Sequence, residues 1–115
     1  MKGKREKVDK AEQSLICRFP VLENQLNPFG NMQGGVISAA IDNTIGPLSM
    51  LVASPNVTRH LEIKYIKAIT PVMKTILVKA RLVDQQKRFL FFEAVVTNSD
   101  GMVCATAKAK HFIFV

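Results

Sequence analysis

One stretch of the chain, residues 27–43 (NPFGNMQGGVISAAIDN), combines residue types that can act on a carbonyl group. The pair Gly34-Gly35 has no Cβ, so the backbone can approach a ligand closely, and the amides of the helical turn that follows would point at it. Asp42, two helical turns further on, can act as a base. The pattern predicts a polarised carbonyl beside a carboxylate. A glycine pair also ends ordinary loops, however, and a lone helical aspartate is usually solvated.

Composition sets the class of protein and the partners to consider. The 115 residues are enough for one domain with one core, and an apolar fraction of 48% predicts a folded globular domain. The formal net charge of +7 raises nucleic acid, membrane surfaces and anionic small molecules as partners. Basic residues are concentrated in residues 1–10 without interleaved aromatics. We therefore expect no nucleic-acid partner and no membrane partner.

Cysteine use and hydropathy point to the cytoplasm. Cys17 and Cys104 are far apart, and the sequence has no CxxC motif or Cys/His cluster, so a zinc site is not expected. A disulfide between them is left open, with nothing in the sequence to favour it. No apolar run is expected to be long enough for a bilayer, and the basic N-terminus lacks the apolar core of a secretion signal. We therefore expect a cytoplasmic protein without a metal.

The chain divides into residues 1–13, expected to be a flexible or short helical tail, and a single domain over residues 14–115. The domain begins with a strand over residues 14–22 and a loop over residues 23–33. A helix from about Gly34 carries an apolar stripe, and Pro47 is expected to kink it or end its first half. The stripe consists of Ile37, Ile41, Ile45, Leu48 and Val52.

Four runs with strand-like alternation follow the helix. They are separated by a break at Thr70-Pro71, a tight turn predicted at Asp84–Lys87 and a hairpin signal at Ser99-Asp100-Gly101. Short connections between consecutive strands favour an antiparallel meander. The four runs cover residues 58–68, 74–83, 88–98 and 102–115.

The apolar face of such a sheet must be covered, and the helix after the first strand is the one helix available to the predicted domain. The sequence therefore predicts an α+β fold in which a curved antiparallel sheet wraps around one long central helix. One helix cannot cover all the apolar strand surface, because Phe89, Phe91 and Phe92 occupy both faces of their strand. A homo-oligomer is expected for that reason.

The element order and the motif together resemble the hotdog fold, and more narrowly the acyl-CoA thioesterases of the PaaI-like and 4-hydroxybenzoyl-CoA type. That family has an Asn, a Gly three residues on, a His-Gly-Gly or Gln-Gly-Gly triplet, a small and apolar helix, and an Asp or Glu. The matching positions are Asn27, Gly30, Gln33-Gly34-Gly35 and Asp42. Later matches, within a resemblance that covers roughly residues 14–115, are Thr58, Pro71 and Asp100-Gly101 before VCATAKA.

The resemblance implies a role for each matched residue. The Gly34 N–H would bind the thioester oxygen and stabilise an oxyanion. Asp42 would act as general base for water or as nucleophile, and Thr58 would orient the water or Asp42. In this family the site spans a dimer interface, so Asn27, Gln33 and Gly34 would face Asp42 and Thr58 of another subunit. The spacing agrees, since Asp42 lies about 12 Å along the helix from Gly34.

The resemblance also implies the ligand and the assembly. The substrate would be an acyl-CoA with a small acyl or aroyl group, the enzyme would need no metal or organic cofactor, and the chain would form a dimer that pairs into a tetramer. Gly35 and Asn43 would contribute to substrate binding. Arg59, Lys87 and Arg88 would hold the phosphates of coenzyme A, although each is also explained as an ordinary solvated charge.

Two positions depart from the family pattern. Gln33 stands where many relatives carry His and cannot shuttle protons, and Pro47 interrupts the helix. His60 and His111 have no metal-ligand spacing and are expected to be surface or packing residues. Two alternatives to hydrolysis are a hydratase or dehydratase, against which the lack of His in residues 23–33 argues, and a non-catalytic acyl-CoA-binding module.

Overall fold

The computed structural model describes residues 3–114, which form six strands, one long helix and two short 3-10 turns. The strands make one antiparallel sheet, and the helix packs across it. This confirms the predicted α+β hotdog architecture. The elements are β1 (Lys4–Asp9), β2 (Ser14–Pro20), α1 (Gly34–Val52), β3 (Asn56–Tyr65), β4 (Thr75–Gln86), β5 (Phe89–Thr97) and β6 (Val103–Ile113), with 3-10 turns at Glu23–Gln25 and Pro71–Met73.

The strand order across the sheet is β1-β2-β4-β5-β6-β3, and each neighbouring pair is antiparallel. β4, β5 and β6 form the meander that their short connections predict. The expectation that β3 belongs to the same meander is wrong, because β3 pairs with β6 from Asn56↔Ile113 to Tyr65↔Ala105. The connection over residues 66–74 is longer than a hairpin loop, and it carries the chain from the β3 edge back to β4.

α1 contributes its predicted apolar stripe to the core. The helix packs mainly over β4 and β2, where the inward side chains of both strands are buried. Residues at helical spacing share one face, so a single stripe meets the sheet along the length of the helix. The buried residues of α1 are Ile37, Ala40, Ile41, Thr44, Ile45, Leu48 and Ser49.

Pro47 lies inside α1, so the expectation that it ends the first half of the helix is wrong. A proline at this position cannot donate to the carbonyl of Asn43. Both residues are exposed, so water can satisfy that carbonyl. The helix therefore continues to Val52, and the N–H of Ala53 donates to the Ser49 carbonyl at 3.0 Å.

By length and composition alone, α1 is apolar enough to cross a membrane, with a mean hydropathy of 1.3. This corrects the expectation that no apolar run is long enough. The core helix of a soluble protein meets the same criterion, and 39% of the apolar window of α1 is buried within the fold. The packing of the stripe against β4 and β2 accounts for the apolar character of the buried face of this helix.

The segment before β2 is a strand rather than the expected flexible or helical tail. β1 pairs antiparallel with β2 and forms one edge of the sheet. Its side chains are mostly charged and exposed, so the sequence has no apolar alternation that would identify a strand. An ion pair from Arg18 Nε to Glu6 Oε1, 3.0 Å long, joins the two strands. Met1 and Lys2, also assigned to the tail, lie outside the described residues.

One of the two predicted hairpin turns lies where the sequence placed it, and the other lies later in the chain. The Asp-Gly hairpin is confirmed, and Gly101 has the positive φ of 85° that such a turn uses. The turn predicted at Asp84–Lys87 lies later in the chain, because β4 continues through Gln86 and the turn is made by Lys87 and Arg88. Lys87 has a φ of 56°, which is uncommon for a lysine, so its identity gave no turn signal.

We expect Leu48→Ala to lower the free energy of unfolding by about 2–5 kcal/mol, because truncation would leave a cavity between helix and sheet. Leu48 is 1% exposed, whereas Val72 in the second 3-10 turn is 88% exposed. Val72→Ala is therefore the control and should cost about 0.5 kcal/mol or less. Urea denaturation followed by circular dichroism measures both variants. Equal destabilisation would contradict the assignment of the buried face of α1.

Candidate active site

Two backbone amides, those of Gly34 and Gly35, lie at the surface at the N-terminus of α1. Gln33 is the N-cap residue and Gly34 begins the helix. Among residues 3–114, neither the N–H of Gly34 nor that of Gly35 donates to a protein acceptor, and both glycines are exposed. The positive end of the helix dipole acts in the same direction as these donors. This end of α1 can therefore hold a carbonyl oxygen that gains negative charge.

Tyr65 fixes the start of α1 to the sheet. Its Oη donates to the Gly34 carbonyl oxygen at 3.1 Å. A Cβ added to Gly34 would lie 3.4 Å from that same hydroxyl, so the ring lies directly against the first residue of the helix. The sequence placed Tyr65 only in a strand, because a contact between residues 31 positions apart leaves no local signal.

Two of the predicted side chains shape the loop ahead of the helix. Asn27 Oδ1 accepts from the N–H of Phe29 at 2.9 Å and from the N–H of Asn31 at 3.1 Å. Gln33 Nε2 donates to the Leu26 carbonyl at 3.1 Å. Gln33 keeps a second amide proton for another acceptor. Both side chains therefore hold the loop that ends at the Gly34 amide.

A cleft of about 750 Å³ contains the other predicted polar residues, Asp42, Asn43 and Thr58. Its apolar wall comes from the buried face of β2, with Leu15, Cys17 and Phe19. The three polar side chains are exposed to solvent in the single chain. The cleft thus combines a carboxylate and a hydroxyl with an apolar surface, as acid–base chemistry on a partly apolar ligand requires.

His111, which the sequence predicted to be a surface or packing residue, is buried and packed against Phe92, and it also lines the same cleft. Its side chain is 2% exposed, with Nδ1 2.8 Å from Asn56 Oδ1 and Nε2 3.3 Å from Thr58 Oγ1. Burial lowers the pKa of His111 below its ordinary value, while the negative charge of Asp42 acts to raise it. The available sequence signal was its place on the inward face of β6, two residues after the buried Ala109.

A single chain does not bring all the predicted residues into one cleft. Asn27 and Gly34 line a cleft of about 310 Å³, and Gln33 and Gly35 line another of about 420 Å³. Asp42 lines neither of them. The helix explains the separation, since eight residues rise about 12 Å. These predicted site residues therefore lie in three clefts of one chain, with Asp42 and Thr58 apart from the residues at the helix N-terminus.

The predicted phosphate-binding cations lie near one end of the sheet. Arg59, close to the start of β3, has its guanidinium 5.1 Å from the centre of the Phe112 ring. The rings of Phe112 and Phe89 are 5.3 Å apart, and Lys87 and Arg88 form the turn just before Phe89. Stacking on an aromatic ring restrains the Arg59 guanidinium. All three cations are exposed.

Arg5 of β1 lines the Asp42 cleft, a position that the sequence did not predict. Its segment was expected to be a tail, and a tail gives no reason to place one side chain near the site. The pairing of β1 with β2 brings Arg5 there, opposite Cys17 in the register. The cleft therefore contains a cation as well as the carboxylate.

The thiols are not paired with each other. Cys17 and Cys104 are both buried and free, and burial raises the pKa of the Cys104 thiol. Within residues 3–114, no three side chains from His, Cys, Asp and Glu cluster as a metal-ion site would.

A comparison with protein families adds an independent observation. The family model described as the thioesterase superfamily matches residues 29–105 of this chain. That range includes Gly34, Asp42 and Thr58. No curated protein matches the sequence.

Several solved structures are similar in fold. A hypothetical thioesterase from Streptococcus pneumoniae TIGR4, solved with coenzyme A, is 22% identical with a TM-score of 0.89, covering 97% of this chain and 88% of its own. Two mutants of that thioesterase carry a single Thr or a single Asp replaced by Ala. A Streptococcus mutans UA159 protein bound to acetyl CoA is 23% identical with a TM-score of 0.90, covering 98% of this chain and 89% of its own.

The E. coli PaaI protein from the phenylacetic acid degradation operon is also similar, at 15% identity with a TM-score of 0.88 over 98% of this chain and 80% of its own. At these low identities the solved structures show that the fold is shared. Membership of the family is shown by the match to the family model. The resemblance seen in the sequence is confirmed, as is the prediction of a thioester hydrolase. The family model matches most of the length of the chain and includes both Gly34 and Asp42. The chain therefore belongs to the thioesterase superfamily.

Proposed function

We propose that the protein is a cytoplasmic acyl-CoA thioesterase that hydrolyses a small acyl- or aroyl-CoA to the free acid and coenzyme A. Each site would lie between two subunits of a homodimer, with the Gly34 amide of one chain facing the Asp42 carboxylate of the other. The observation that carries the proposal is that these two groups line different clefts of one chain. Each cleft is equipped for one half of the reaction.

The edge strand β3 offers a way to bring the two halves together. Tyr65 at its end contacts Gly34, and Thr58 near its start lines the Asp42 cleft. If β3 pairs antiparallel with β3 of a second copy across a two-fold axis, the Tyr65 end of one strand lies near the Thr58 end of the other. Such pairing would bring each Gly34 toward Asp42 of the second copy.

Exposed apolar side chains support association at this part of the surface. Val57 and Tyr65 on β3, Ile66 just after it, and Met50 and Leu51 on α1 are all exposed. Removing apolar surface from water favours association, and an uncovered edge strand is a template for pairing. The dimer of dimers that the family resemblance implies would need a second surface of this kind.

The Gly34 amide would bind the thioester carbonyl oxygen. Negative charge develops on that oxygen as a nucleophile adds to the carbonyl carbon, and an N–H fixed at a helix N-terminus stabilises it. The hydrogen bond from Tyr65 Oη holds the start of the helix, and Asn27 and Gln33 hold the loop that precedes it. This donor would therefore need little rearrangement during the reaction.

The Asp42 carboxylate would take a proton from water as the water oxygen adds to the thioester carbon. Collapse of the tetrahedral intermediate then breaks the C–S bond and releases the coenzyme A thiolate, which takes up a proton. Direct attack by Asp42, followed by hydrolysis of the anhydride, is the other route. The Asp and Thr replaced in the S. pneumoniae thioesterase have the same sequence separation as Asp42 and Thr58, which supports roles for both.

Charge supports coenzyme A as the leaving group. The S. pneumoniae and S. mutans proteins were solved with coenzyme A and acetyl CoA. Coenzyme A carries several negative phosphate charges, and this chain has a net charge of +7. Those phosphates would be bound by Arg59, Lys87 and Arg88. The Arg59 guanidinium is already restrained by its contact with the Phe112 ring.

The acyl group would enter the apolar part of the Asp42 cleft, beside Leu15 and Phe19 of β2. A volume of about 750 Å³ falls in the range of small-molecule sites and accommodates a small acyl or aroyl group. Asn43 in the same cleft would contact the bound thioester, and so would Gly35 from the second chain. No metal or organic cofactor is needed for this reaction.

Two alternatives differ from hydrolysis in what they require. A non-catalytic acyl-CoA-binding module would keep the clefts and cations without using Asp42. A hydratase or dehydratase would need a histidine free to move protons, whereas both ring nitrogens of His111 are engaged, by Asn56 and by Thr58. Hydrolysis is the function that uses the carboxylate, the hydroxyl and the free amide together.

Asp42→Asn should lower kcat for acyl-CoA hydrolysis by about 10²–10⁴-fold, because an amide cannot accept the proton of water as a carboxylate does. Asp84→Asn on β4 is the control, since that exposed carboxylate lies outside the Asp42 cleft and, among the described residues, is hydrogen-bonded only to its sequence neighbours Gln85 and Gln86. Release of free thiol from a panel of acyl-CoA thioesters measures kcat. Equal values for wild type and Asp42→Asn would remove Asp42 from the mechanism, and tight binding without turnover by the wild type would favour the binding module.

Gly34→Pro should lower kcat by about 10²–10³-fold, because it deletes the N–H that stabilises the oxyanion. Proline is accepted at the first helical position, and Gln33, with a ψ of 143°, has the extended backbone that a following proline requires. Gly34→Ala keeps the amide and places its Cβ at an ordinary contact distance from Tyr65, so it should lose much less activity. Circular dichroism checks that both variants fold. Equal losses in the two variants would argue against the amide as the oxyanion donor.

A further inference from the structure

His111 is a buried polar residue that takes no direct part in the proposed hydrolysis. It lies on the inward face of β6, with Phe92 of β5 against the ring at 5.0 Å between centroids. Both ring nitrogens have partners on β3, Asn56 for Nδ1 and Thr58 for Nε2. A buried histidine with two fixed partners on the strand that carries Thr58 can control the direction of the Thr58 hydroxyl.

The orientation of Asn56 determines which ring nitrogen carries the proton. Asn56 Nδ2 donates to the Ser54 carbonyl at 2.9 Å, which leaves Oδ1 facing the histidine. An amide oxygen only accepts, so the Nδ1 of His111 must donate across the 2.8 Å contact. Nε2 is then a bare acceptor in the neutral ring, and the Thr58 hydroxyl donates to it at 3.3 Å.

The surroundings favour the neutral ring. Burial lowers the pKa of His111, and the opposing effect of the Asp42 charge is the smaller of the two. The cleft that His111 lines contains two charged side chains, one of each sign, Asp42 from α1 and Arg5 from β1. Its uncharged polar side chains and thiol are Asn43 and Ser49 from α1, Asn56 and Thr58 from β3, and Cys17 from β2.

The direction of the Thr58 hydroxyl matters for an attacking water. The water must turn a lone pair toward the thioester carbon and its two protons toward acceptors. Asp42 accepts one proton and removes it. Thr58 Oγ1 can accept the other hydrogen bond when its own proton points away from the water, toward a separate acceptor.

We propose that His111 is a positioning residue for the hydrolytic water: its bare Nε2 accepts a hydrogen bond from the Thr58 hydroxyl, so that Thr58 Oγ1 can accept a hydrogen bond from the water that Asp42 deprotonates. This role rests on the proposed thioesterase function. It links Asn56, His111 and Thr58 of one chain through consecutive hydrogen bonds. Asn56 fixes the ring, the ring fixes the hydroxyl, and the hydroxyl orients the water. His111 itself does not touch the substrate.

A kinetic cycle tests the dependence of His111 on Thr58. His111→Phe keeps the ring packed against Phe92 and removes the acceptor, and we expect kcat to fall about tenfold with KM within about twofold. Thr58→Ala removes the hydroxyl. In the double variant, His111→Phe should cause no further loss beyond Thr58→Ala, because its effect passes through that hydroxyl. Losses that multiply in the double variant would overturn the proposal.

Nitrogen NMR tests the hydrogen-bond arrangement without any turnover. The sequence has two histidines, and replacing the exposed His60 by Gln leaves His111 as the single ring signal. In protein labelled with ¹⁵N-histidine at neutral pH, we expect the Nδ1–H tautomer, and a shift of the Nε2 resonance when Thr58→Ala removes its donor. An Nε2–H tautomer would overturn the proposal even in an active enzyme, so its failure is distinct from an absence of hydrolysis.

Discussion

The spacing of Gly34 and Asp42 along one helix is the constraint on which a site shared between two chains depends. α1 begins with the Gly34 amide, which donates to no acceptor within residues 3–114, and carries Asp42 two turns later, about 12 Å along its axis. A single thioester carbon cannot contact both groups of one rigid helix. The sheet holds that helix in place through a buried apolar stripe, so neither group moves toward the other. A reaction that uses both groups on one thioester therefore needs α1 of a second copy of the chain.

β3 links the two halves of the candidate site. Tyr65 at its end is hydrogen-bonded to the helix start, and Thr58 near its other end lies in the Asp42 cleft with His111 behind it. The strand also forms an edge of the sheet, because β6 occupies its other side. The same element thus supports the oxyanion donor, positions the hydroxyl and offers the surface through which two chains would associate.

The sequence predicted the elements whose signals are local. The stripe from Ile37 to Leu48, the alternation along the strands and the Asp-Gly hairpin each follow from neighbouring residues, and each is confirmed. Pairing between distant segments leaves no such signal. β1 has polar side chains on an edge, so only its hydrogen bonds to β2 identify it as a strand, and that pairing brings Arg5 to the cleft.

The candidate site also depends on contacts between residues that are distant in the sequence. The motif from Asn27 to Asp42 is contiguous and was recognisable, whereas His111 reaches Thr58 only through the register of β3 against β6. A residue 53 positions away cannot be assigned a partner from spacing. The crossover from β3 to β4, which creates the free edge, was likewise missed because sequence order alone favours a meander.

Isolated heterodimers of Asp42→Asn and Gly34→Pro test the central claim most directly. The two variants can be co-expressed with different affinity tags, and the mixed dimer purified on both tags in turn. In a site shared between subunits, one of the two sites has both the amide and the carboxylate intact, so hydrolysis should return to about half the wild-type rate per dimer. A mixed dimer no more active than either parent, or a wild-type protein that is monomeric in solution, would contradict a site built from two chains.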